Sequence, residues 1–315
     1  MSVQLFESLR VVVLPTRTKF RGVTSREVAL FKGECGWGEF SPFLEYSPEE
    51  SVPWLKSAIE SASRKAPEKF RDTIKVNATL PEVDSPEDIE RILSRFPGCT
   101  TVKIKVGTEI TADIERIKTV LKINPSAKIR IDVNGSWSVA DALSNIKRIQ
   151  DATKELEYVE QPVGSVEELR ELKIALNGEV KITGDEVLRK SANPFEVDLN
   201  EAVDILMLKV SPLGGISNSL KLAAHHNLPV VVSSALESAI GISSGLMLAA
   251  ALPELNFDCG LGTGSLLSND VGLHEIINGE ILVRDIEPKL EGLDVSPERY
   301  KWWQDRLMNT WELIA

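Results

Sequence analysis

Short hydrophobic segments rich in β-branched residues alternate with longer amphipathic segments over much of this chain, from about residue 73 to residue 271. Such alternation is typical of parallel strands joined by crossover helices. We predict eight strands, at residues 74–80, 101–106, 128–134, 157–161, 181–186, 205–210, 229–234 and 256–260. Eight strands at this regular interval predict an α/β fold, a TIM-type (β/α) barrel.

The two ends of the chain have a different pattern. Residues 1–72 contain alternating strands near 9–13 and 27–31, the stretch GECGWGEFSPF, and a helical pattern near 47–62. Residues 272–315 contain a predicted strand at 281–283 and three anchoring tryptophans, Trp302, Trp303 and Trp311. We expect the two ends to pack together as an α+β capping domain, with residues 73–271 as the barrel. Two unrelated appendages are the alternative.

Serine residues mark the starts of four predicted helices. Each is followed three residues later by an acidic residue, the pattern of a capped helix N-terminus, and the four are Ser47, Ser85, Ser138 and Ser165. These positions support the spacing of the barrel units. We assign them no role in function.

Composition excludes several classes of protein. The chain of 315 residues is 43% hydrophobic and 26% charged, with a net charge of -11 and a pI near 5.0. It has no dense basic run, so we expect no nucleic-acid partner. It also has no apolar run long enough for a signal peptide or a membrane span, so we expect a cytoplasmic protein. Its three cysteines form no CxxC pair, which argues against disulfides and a zinc site.

Charged residues stand near the C-terminal ends of five consecutive barrel strands. They are Lys103, Lys105, Asp132, Glu160, Asp185 and Lys209. Because residues i and i+2 share a face of a strand, Lys103 and Lys105 point the same way, as do Asp132 and Asn134. The opposite faces are apolar and suit the helical shell, so the charged faces should point inward, at the rim where barrel enzymes build active sites.

The three carboxylates lie on neighbouring predicted strands, which places them close enough to share one ion. Asp132, Glu160 and Asp185 offer only oxygen ligands, which favours Mg²⁺, with Mn²⁺ as a substitute. A set of structural salt bridges is the alternative for any single pair of these charges. Six charges of both signs at one rim favour the metal site.

The lysines flank the carboxylates in chain order. We interpret Lys105 as a general base, with Lys103 as its electrostatic neighbour, while Lys209 could be a second acid–base group or a fixed cation. With a divalent ion the site carries excess positive charge, so we expect a small anionic substrate, plausibly a dicarboxylate. A metal against a substrate carboxylate would stabilise the enediolate formed when a base removes the α-proton.

Five ordered motifs resemble those of the enolase superfamily. They are KIK at 103–105, DVNGSW at 132–137, VEQP at 159–162, GDE at 184–186 and LKVSPLGG at 208–215. The resemblance implies a modified TIM-type barrel with an N- and C-terminal capping domain. It also implies a lysine pair, three Mg²⁺ ligands and an opposite lysine at the positions described above.

Three further segments resemble the o-succinylbenzoate synthases of actinobacterial type, a family in the muconate lactonizing enzyme-like subgroup. They are FRGVTSREVALF at 20–31 with GWGEFSPF, VVSSALESAIG at 231–241, and CGLGTGSLL at 259–267. This resemblance implies a lyase of menaquinone biosynthesis that dehydrates 2-succinyl-6-hydroxy-2,4-cyclohexadiene-1-carboxylate to 2-succinylbenzoate. That substrate is a dicarboxylate, in agreement with the charge of the site.

The same resemblance implies roles for the remaining site residues. Lys105 removes the α-proton and returns it to the departing hydroxyl, and Lys209 stabilises the enediolate as a cation. Contacts to the substrate or support of the site are implied for Asn134, Ser233, Ser234, Gly262, Arg21 and Glu186. For Ser233 and Ser234, capping of the following helix is an equally good interpretation. Arg21 lies in a segment that could close over the site, with an ordinary hairpin tip as the alternative.

Other functions remain open at this point. A racemase of N-acylated amino acids would use Lys105 and Lys209 on opposite faces of one substrate. A Schiff-base aldolase would use Lys209 as a nucleophile, and a non-catalytic barrel would only bind a small anion. We expect a monomer, because no exposed apolar helix face stands out in the sequence.

Overall fold

The computed structural model describes residues 3–20, 22–83, 85–107, 109–153 and 155–315. After a 3₁₀ turn at Val3–Ser8, an antiparallel sheet and a helix open the chain: β1 (Arg10–Phe20), β2 (Val23–Lys32), β3 (Trp37–Phe40) and α1 (Pro48–Ser63). The strands pair in the order β1-β2-β3. The strands predicted near 9–13 and 27–31 and the helix near 47–62 are thereby confirmed.

Strands and helices then alternate along the chain. They are β4 (Thr73–Lys75), β5 (Ala78–Leu80), α2 (Pro86–Leu93), β6 (Thr101–Lys105), α3 (Ile110–Ile123), β7 (Lys128–Asp132), α4 (Val139–Ala152), β8 (Leu156–Glu160), α5 (Val166–Leu176), β9 (Ile182–Gly184), α6 (Glu186–Arg189), β10 (Ile205–Lys209), α7 (Ile216–His226), β11 (Val230–Ser233) and α8 (Ala239–Ala251). The last elements are β12 (Glu280–Leu282) and α9 (Pro297–Glu312). The alternation confirms the predicted α/β class.

Seven of the described strands form one curved parallel sheet in the order β11-β10-β9-β8-β7-β6-β5. The two edges of this sheet meet through a short extended segment at Cys259 and Gly260. Cys259 bridges to Val76 and Gly260 bridges to Ser233, both in parallel orientation. The sheet therefore curls into the predicted modified TIM-type barrel.

Several predicted strand boundaries were wrong. The first predicted strand is divided: β4 pairs with β12 in a separate two-stranded sheet, whereas β5 joins the barrel. The eighth is reduced to the two bridges just described. The predicted strand at 181–186 ends at Gly184, and Asp185 is the N-cap of the short helix α6. The predicted strand at 128–134 ends at Asp132, because Asn134 has a left-handed backbone with φ of 52°.

Three apolar clusters hold the fold together. The largest lies between the barrel strands and their helices. A small one, with Tyr158, Met207 and Val231, is formed by residues whose strand parity points them into the barrel. The third lies in the capping sheet, where Trp54 of α1 and Trp303 and Leu307 of α9 are buried together. The C-terminal helix thus packs with the N-terminal elements, and α1 and α9 are in contact.

All four predicted helix caps are present. The hydroxyl of each serine accepts a hydrogen bond from the backbone N–H three residues on, at Ser47, Ser85, Ser138 and Ser165. Ser47 and Ser165 complete a capping box with Glu50 and Glu168. The three cysteines are free, with Cys259 buried, Cys99 half-buried and Cys35 exposed. Within the described residues, no helix combines the length and apolar character needed to cross a membrane.

Candidate active site

Strand register places the predicted charged residues side by side at one end of the barrel. Lys105 of β6 is in register with Asp132 of β7, which is in register with Glu160 of β8. Glu160 is in turn in register with Thr183 of β9. Because neighbouring strands are in register here, the side chains form one layer across three strands, facing the barrel interior.

The ammonium group of Lys103 lies between two of the carboxylates. Its Nζ is 2.9 Å from Glu160 Oε2 and 3.5 Å from Asp132 Oδ2. Lys105 Nζ is also 3.5 Å from Asp132 Oδ2. Lys103 and Lys105 therefore share the interior face, as strand parity predicts, and both contact the carboxylate of the adjacent strand.

On the other side, Lys209 of β10 binds Asp185. Lys209 Nζ donates to Asp185 Oδ2 at 2.6 Å and is 3.8 Å from Glu160 Oε1. The Asp185 carboxylate also accepts from Nε of Arg189, with both oxygens 3.2 Å away. Asp185 is thus held by two cations on opposite sides, which fixes its orientation.

The three carboxyl groups are all buried, but their pKa values shift in different directions. Desolvation and the neighbouring Asp132 charge raise the pKa of Glu160 to about 7 despite Lys103. Burial also acts against the ionised form of Asp185, but Lys209 and Arg189 outweigh it and lower its pKa. For Asp132, Lys105 and Lys103 likewise outweigh burial and lower the pKa. The lysines therefore stabilise the ionised forms of Asp132 and Asp185, whereas the ionised form of Glu160 is the least compensated of the three.

The surroundings of one buried atom, Glu160 Oε1, indicate whether a metal ion fits the site. Glu160 is fully buried, and its Oε1 has no hydrogen-bond partner among the described residues. A buried carboxylate oxygen without a donor is unfavourable unless a cation satisfies it. As the side chains stand, no three His, Cys, Asp or Glu residues in the described part of the chain form a ready metal cluster. Instead, the carboxylates are bound to lysines. Their donor atoms are all oxygens, and one of these oxygens lacks a hydrogen bond, which fits a hard divalent ion.

Asn134 and Glu186 lie beside the carboxylates and contact each other. Asn134 Nδ2 donates to Glu186 Oε1 at 3.0 Å, and the Asn134 backbone N–H donates to Asp132 Oδ1 at 3.3 Å. Asn134 leaves the strand with its positive φ, so its place is due to the turn after β7 and not to strand parity. Both residues therefore adjoin the carboxylates of the charged layer.

Three residues at this rim were missed by sequence reasoning. Arg189 Nη2 donates to Glu186 Oε1 at 2.6 Å, and its Nη1 donates to the hydroxyl of Tyr46 at 3.0 Å. Gln161 Oε1 accepts from the backbone N–H groups of Asp185 and Val187 at 3.0 and 3.2 Å. Helical spacing in GDEVLR would have placed Arg189 one turn from Asp185. Tyr46 comes from the capping segment, and no local pattern reveals that contact.

The predicted tail-binding residues adjoin the charged layer on the side of Lys209. Ser233 is in register with Lys209. Ser234 Oγ donates to the carbonyl of Gly260 at 2.8 Å and lies 2.7 Å from Thr263 Oγ1. The alternative role of these serines as a helix cap was wrong, because Ser238 is the N-cap of α8.

Gly262 and Arg21 are the two remaining predicted site residues. Gly262 begins a 3₁₀ turn, and a Cβ added there would meet the ring of Phe96 and the terminal methyl of Ile276 at 3.2 and 3.3 Å. None of the contacts described here joins Gly262 to the charged layer. Arg21 lies outside the described residues, so its predicted closing segment stays a prediction.

The sequence matches known families over nearly its whole length. A family model described as Enolase C-terminal domain-like matches residues 87–296, and one described as Enolase N-terminal domain-like matches residues 11–62. An o-succinylbenzoate synthase from Mycolicibacterium smegmatis is 44% identical over 98% of this chain and 97% of its own length. One from Mycobacterium tuberculosis is 44% identical over 99% of this chain and 96% of its own length.

Solved structures share the fold. The L-Ala-D/L-Glu epimerase from Bacillus subtilis matches with a TM-score of 0.73 at 24% identity, over 91% of this chain and 98% of its own. A muconate lactonizing enzyme from Pseudomonas fluorescens matches at 0.72 and 21% identity, over 94% and 97%. A dipeptide epimerase from Enterococcus faecalis, complexed with Mg and a dipeptide, matches at 0.70 and 21% identity, over 88% and 96%. By its sequence and its barrel, the chain belongs to the enolase superfamily, in the family of the o-succinylbenzoate synthases.

Proposed function

We propose that this chain is a Mg²⁺-dependent lyase that dehydrates 2-succinyl-6-hydroxy-2,4-cyclohexadiene-1-carboxylate to 2-succinylbenzoate, a step of menaquinone biosynthesis. One observation carries the proposal. Lys105 on β6 and Lys209 on β10 flank the three strands whose ends bear Asp132, Glu160 and Asp185. This order puts a base and a cation on opposite sides of a carboxylate-binding centre.

Asp132, Glu160 and Asp185 are the residues that would hold the metal. Glu160 Oε1 accepts no hydrogen bond among the described residues and would be one ligand atom, and Asp132 and Asp185 would each add an oxygen while keeping a lysine as neighbour. When bound, Mg²⁺ supplies positive charge against the ring carboxylate, which acidifies the neighbouring carbon. Mn²⁺ has similar ligand preferences and should substitute.

Lys105 and Lys209 differ in how firmly they are held. The Lys105 side chain is 24% exposed, and its Nζ is no closer than 3.5 Å to Asp132 Oδ2. Lys209 is 7% exposed and is held at 2.6 Å by Asp185. Lys105 therefore has the freedom to take a proton from the ring carbon and return it to the departing hydroxyl. Lys209 is fixed as an ammonium group facing the charge that develops on the substrate.

This asymmetry disfavours the alternatives. A racemase needs both lysines to exchange protons with the substrate, and a Schiff-base aldolase needs Lys209 as a free amine. The short contact with Asp185 opposes both uses of Lys209. The dehydration needs proton transfer from Lys105 alone.

Ser233 and Ser234 would bind the succinyl tail with backbone N–H groups near Gly262. Support comes from the register of Ser233 with Lys209 and from the bond between Ser234 and the Gly260 carbonyl. The tail carboxylate would then lie on the side of the barrel away from Lys105. A cytoplasmic location and a monomeric state stay predictions from sequence, the latter open to light scattering in solution.

The test is turnover of the cyclohexadiene by the purified protein with Mg²⁺, followed by the absorbance of the aromatic product. We expect aromatisation that EDTA abolishes and added Mg²⁺ restores. Exchange of the α-proton of an N-acylamino acid in deuterated solvent, with no aromatisation, would favour the racemase. Inactivation by borohydride with substrate, insensitive to EDTA, would favour the aldolase.

A further inference from the structure

A buried carboxylate of the capping sheet contacts the barrel next to the predicted tail site. Glu39, on β3, accepts four hydrogen bonds. Ser41 Oγ donates to its Oε1 at 2.6 Å. Ser238 donates to it twice, from Oγ at 2.6 Å and from its backbone N–H at 3.2 Å. The backbone N–H of Gly241 donates to Oε2 at 2.8 Å.

Three of these four donors belong to the N-terminus of the barrel helix α8. Ser238 is the N-cap of that helix, and its hydroxyl also accepts from the N–H of Ile240. Glu39 therefore extends the cap of a barrel helix from another part of the chain, and its charge is favourable at the positive end of the helix. Burial, and then the charge of Glu237, raise the pKa of Glu39. A carboxyl group kept at such a buried place, with four hydrogen-bond donors arranged around it, indicates a use beyond packing.

Space for Glu39 depends on the absence of a side chain at residue 241. A Cβ on Gly241 would lie 2.9 Å from Glu39 Oε2 and 2.5 Å from the Cβ of Glu237. Contacts this short are not tolerated, so any larger residue would have to shift both the stem of the Glu237 side chain and the Glu39 carboxylate. Gly241 is therefore required for the approach of Glu39 to the helix.

A second capping residue binds the same barrel segment. Arg26 of β2 is buried, and its Nε donates to the carbonyl of Leu236 at 3.2 Å. Its Nη2 donates to the carbonyl of Ser41 at 2.5 Å. Leu236 is buried and has a left-handed backbone with φ of 62°, a conformation that a leucine rarely adopts without support. Arg26 and Glu39 thus both bind the segment that contains this turn, Arg26 at Leu236 and Glu39 at Ser238.

This turn joins β11 to α8 and directly follows Ser233 and Ser234. Ser234 in turn binds the Gly260 carbonyl and Thr263, so the two segments assigned to the succinyl tail are connected. Glu39 itself has no contact with the lysines or with the carboxylates of the charged layer among the interactions described. Its effect on the reaction would therefore pass through the turn.

We propose that Glu39 is a positioning residue that fixes the β11–α8 turn and thereby sets the geometry of the site for the substrate's carboxylate tail. The inference rests on the proposed function and adds a specificity determinant to it. The capping sheet then contributes to substrate selection through the barrel backbone, in addition to any loop that closes over the site.

The test compares Glu39→Ala, Glu39→Gln and Gly241→Ala with the wild type in the aromatisation assay. We expect Glu39→Ala and Gly241→Ala each to raise KM about tenfold or more, with kcat changed by less than about threefold, because only tail placement is disturbed. Glu39→Gln should recover much of the loss, since an amide oxygen can still accept from Ser238 and Gly241.

Glu27→Ala is the matched control. Glu27, like Glu39, is a carboxylate of the capping sheet that accepts hydrogen bonds from another part of the chain. The donors described for it, Arg299 and Trp303, both belong to the C-terminal helix and not to the barrel. It should lower the melting temperature and leave KM unchanged. A KM rise in Glu27→Ala equal to that in Glu39→Ala, or a loss confined to kcat, would overturn the proposal.

Other outcomes are also decisive. If Glu39→Ala does not fold, Gly241→Ala carries the same test, and wild-type KM in a folded Gly241→Ala would overturn the proposal. Absence of turnover in the wild type would refute the proposed dehydration. Turnover in the wild type with unchanged KM in the Glu39 variants would refute only the positioning role.

Discussion

Lys103 of β6 reaches across β7 to donate to Glu160 of β8, with 2.9 Å between Nζ and Oε2. Such a bond is possible only because both side chains point into the closed barrel. The second oxygen of Glu160, Oε1, has no hydrogen-bond partner among the described residues. The Nζ of Lys209 lies 3.8 Å from it. The arrangement indicates a site in which lysines and one further cation share three carboxylates.

The metal ligands give the first prediction. We expect Asp132→Asn, Glu160→Gln and Asp185→Asn each to reduce turnover by about 10³-fold or more, because each removes a charged ligand of the ion. Titration calorimetry with Mg²⁺ should show the loss of binding directly. Glu157→Gln is the control, since Glu157 binds Arg130 deeper in the barrel. Full Mg²⁺ affinity in any ligand variant would contradict the assignment.

Arg189 gives a second prediction. It holds the Asp185 and Glu186 carboxylates and the Tyr46 hydroxyl, so its removal frees two acidic groups at the rim. We expect Arg189→Met to weaken Mg²⁺ binding by about 10- to 100-fold, as loss of groups that orient metal ligands does. Arg10→Met, which removes an exposed pair with Asp294, should leave the affinity unchanged. Equal affinities in the two variants would exclude an orienting role.

The buried carboxyl group of Asp270 gives a third prediction, on how the free energy of unfolding depends on pH. Burial raises its pKa from 3.8 to about 7, although it accepts from the N–H groups of Ala239 and Val271. Between these values the folded protein binds more protons than the unfolded chain, so the free energy of unfolding falls as pH rises. The raised pKa values of Glu39 and Glu237 act in the same direction.

We therefore expect the melting temperature of the wild type to decrease from about pH 5 to about pH 8, and Asp270→Asn to reduce that decrease. Calorimetry across this range is the measurement, with Asp294→Asn as an exposed control. A steeper dependence in Asp270→Asn than in the wild type would show that the sign is wrong.

Much of the charged layer was predictable because strand parity and strand order depend on local sequence. Lys103 and Lys105 share a face at i and i+2, and the parallel order of β6 to β10 brings the acids between the lysines. The shortening of the eighth strand was not predictable from local sequence. Cys259 and Gly260 form their bridges because Val76 and Ser233, at the two edges of the barrel sheet, lie beside them. The division of the first strand likewise follows from a partner, β12, that comes more than 200 residues later.

Contacts between the capping elements and the barrel were outside the reach of local patterns. Tyr46 and Glu39 each come from the N-terminal segment and bind residues on α6 and α8. Both residues are polar, and the sequence around them is recognisable only as rich in aromatic residues and glycine. Only the folded chain shows that the N-terminal segment contacts the charged rim through Tyr46 and the start of α8 through Glu39.

The central claim is that Lys105 is the base of a metal-assisted dehydration, and Lys105→Ala tests it most directly. Aromatisation of the cyclohexadiene should be measured alongside Mg²⁺ binding, with Lys118→Ala as the control because Lys118 pairs with Glu115 on the exposed face of α3. We predict that Lys105→Ala binds Mg²⁺ and loses turnover by about 10³-fold or more, as expected for loss of a general base. Turnover within about tenfold of the wild type, with Mg²⁺ bound, would contradict the assignment.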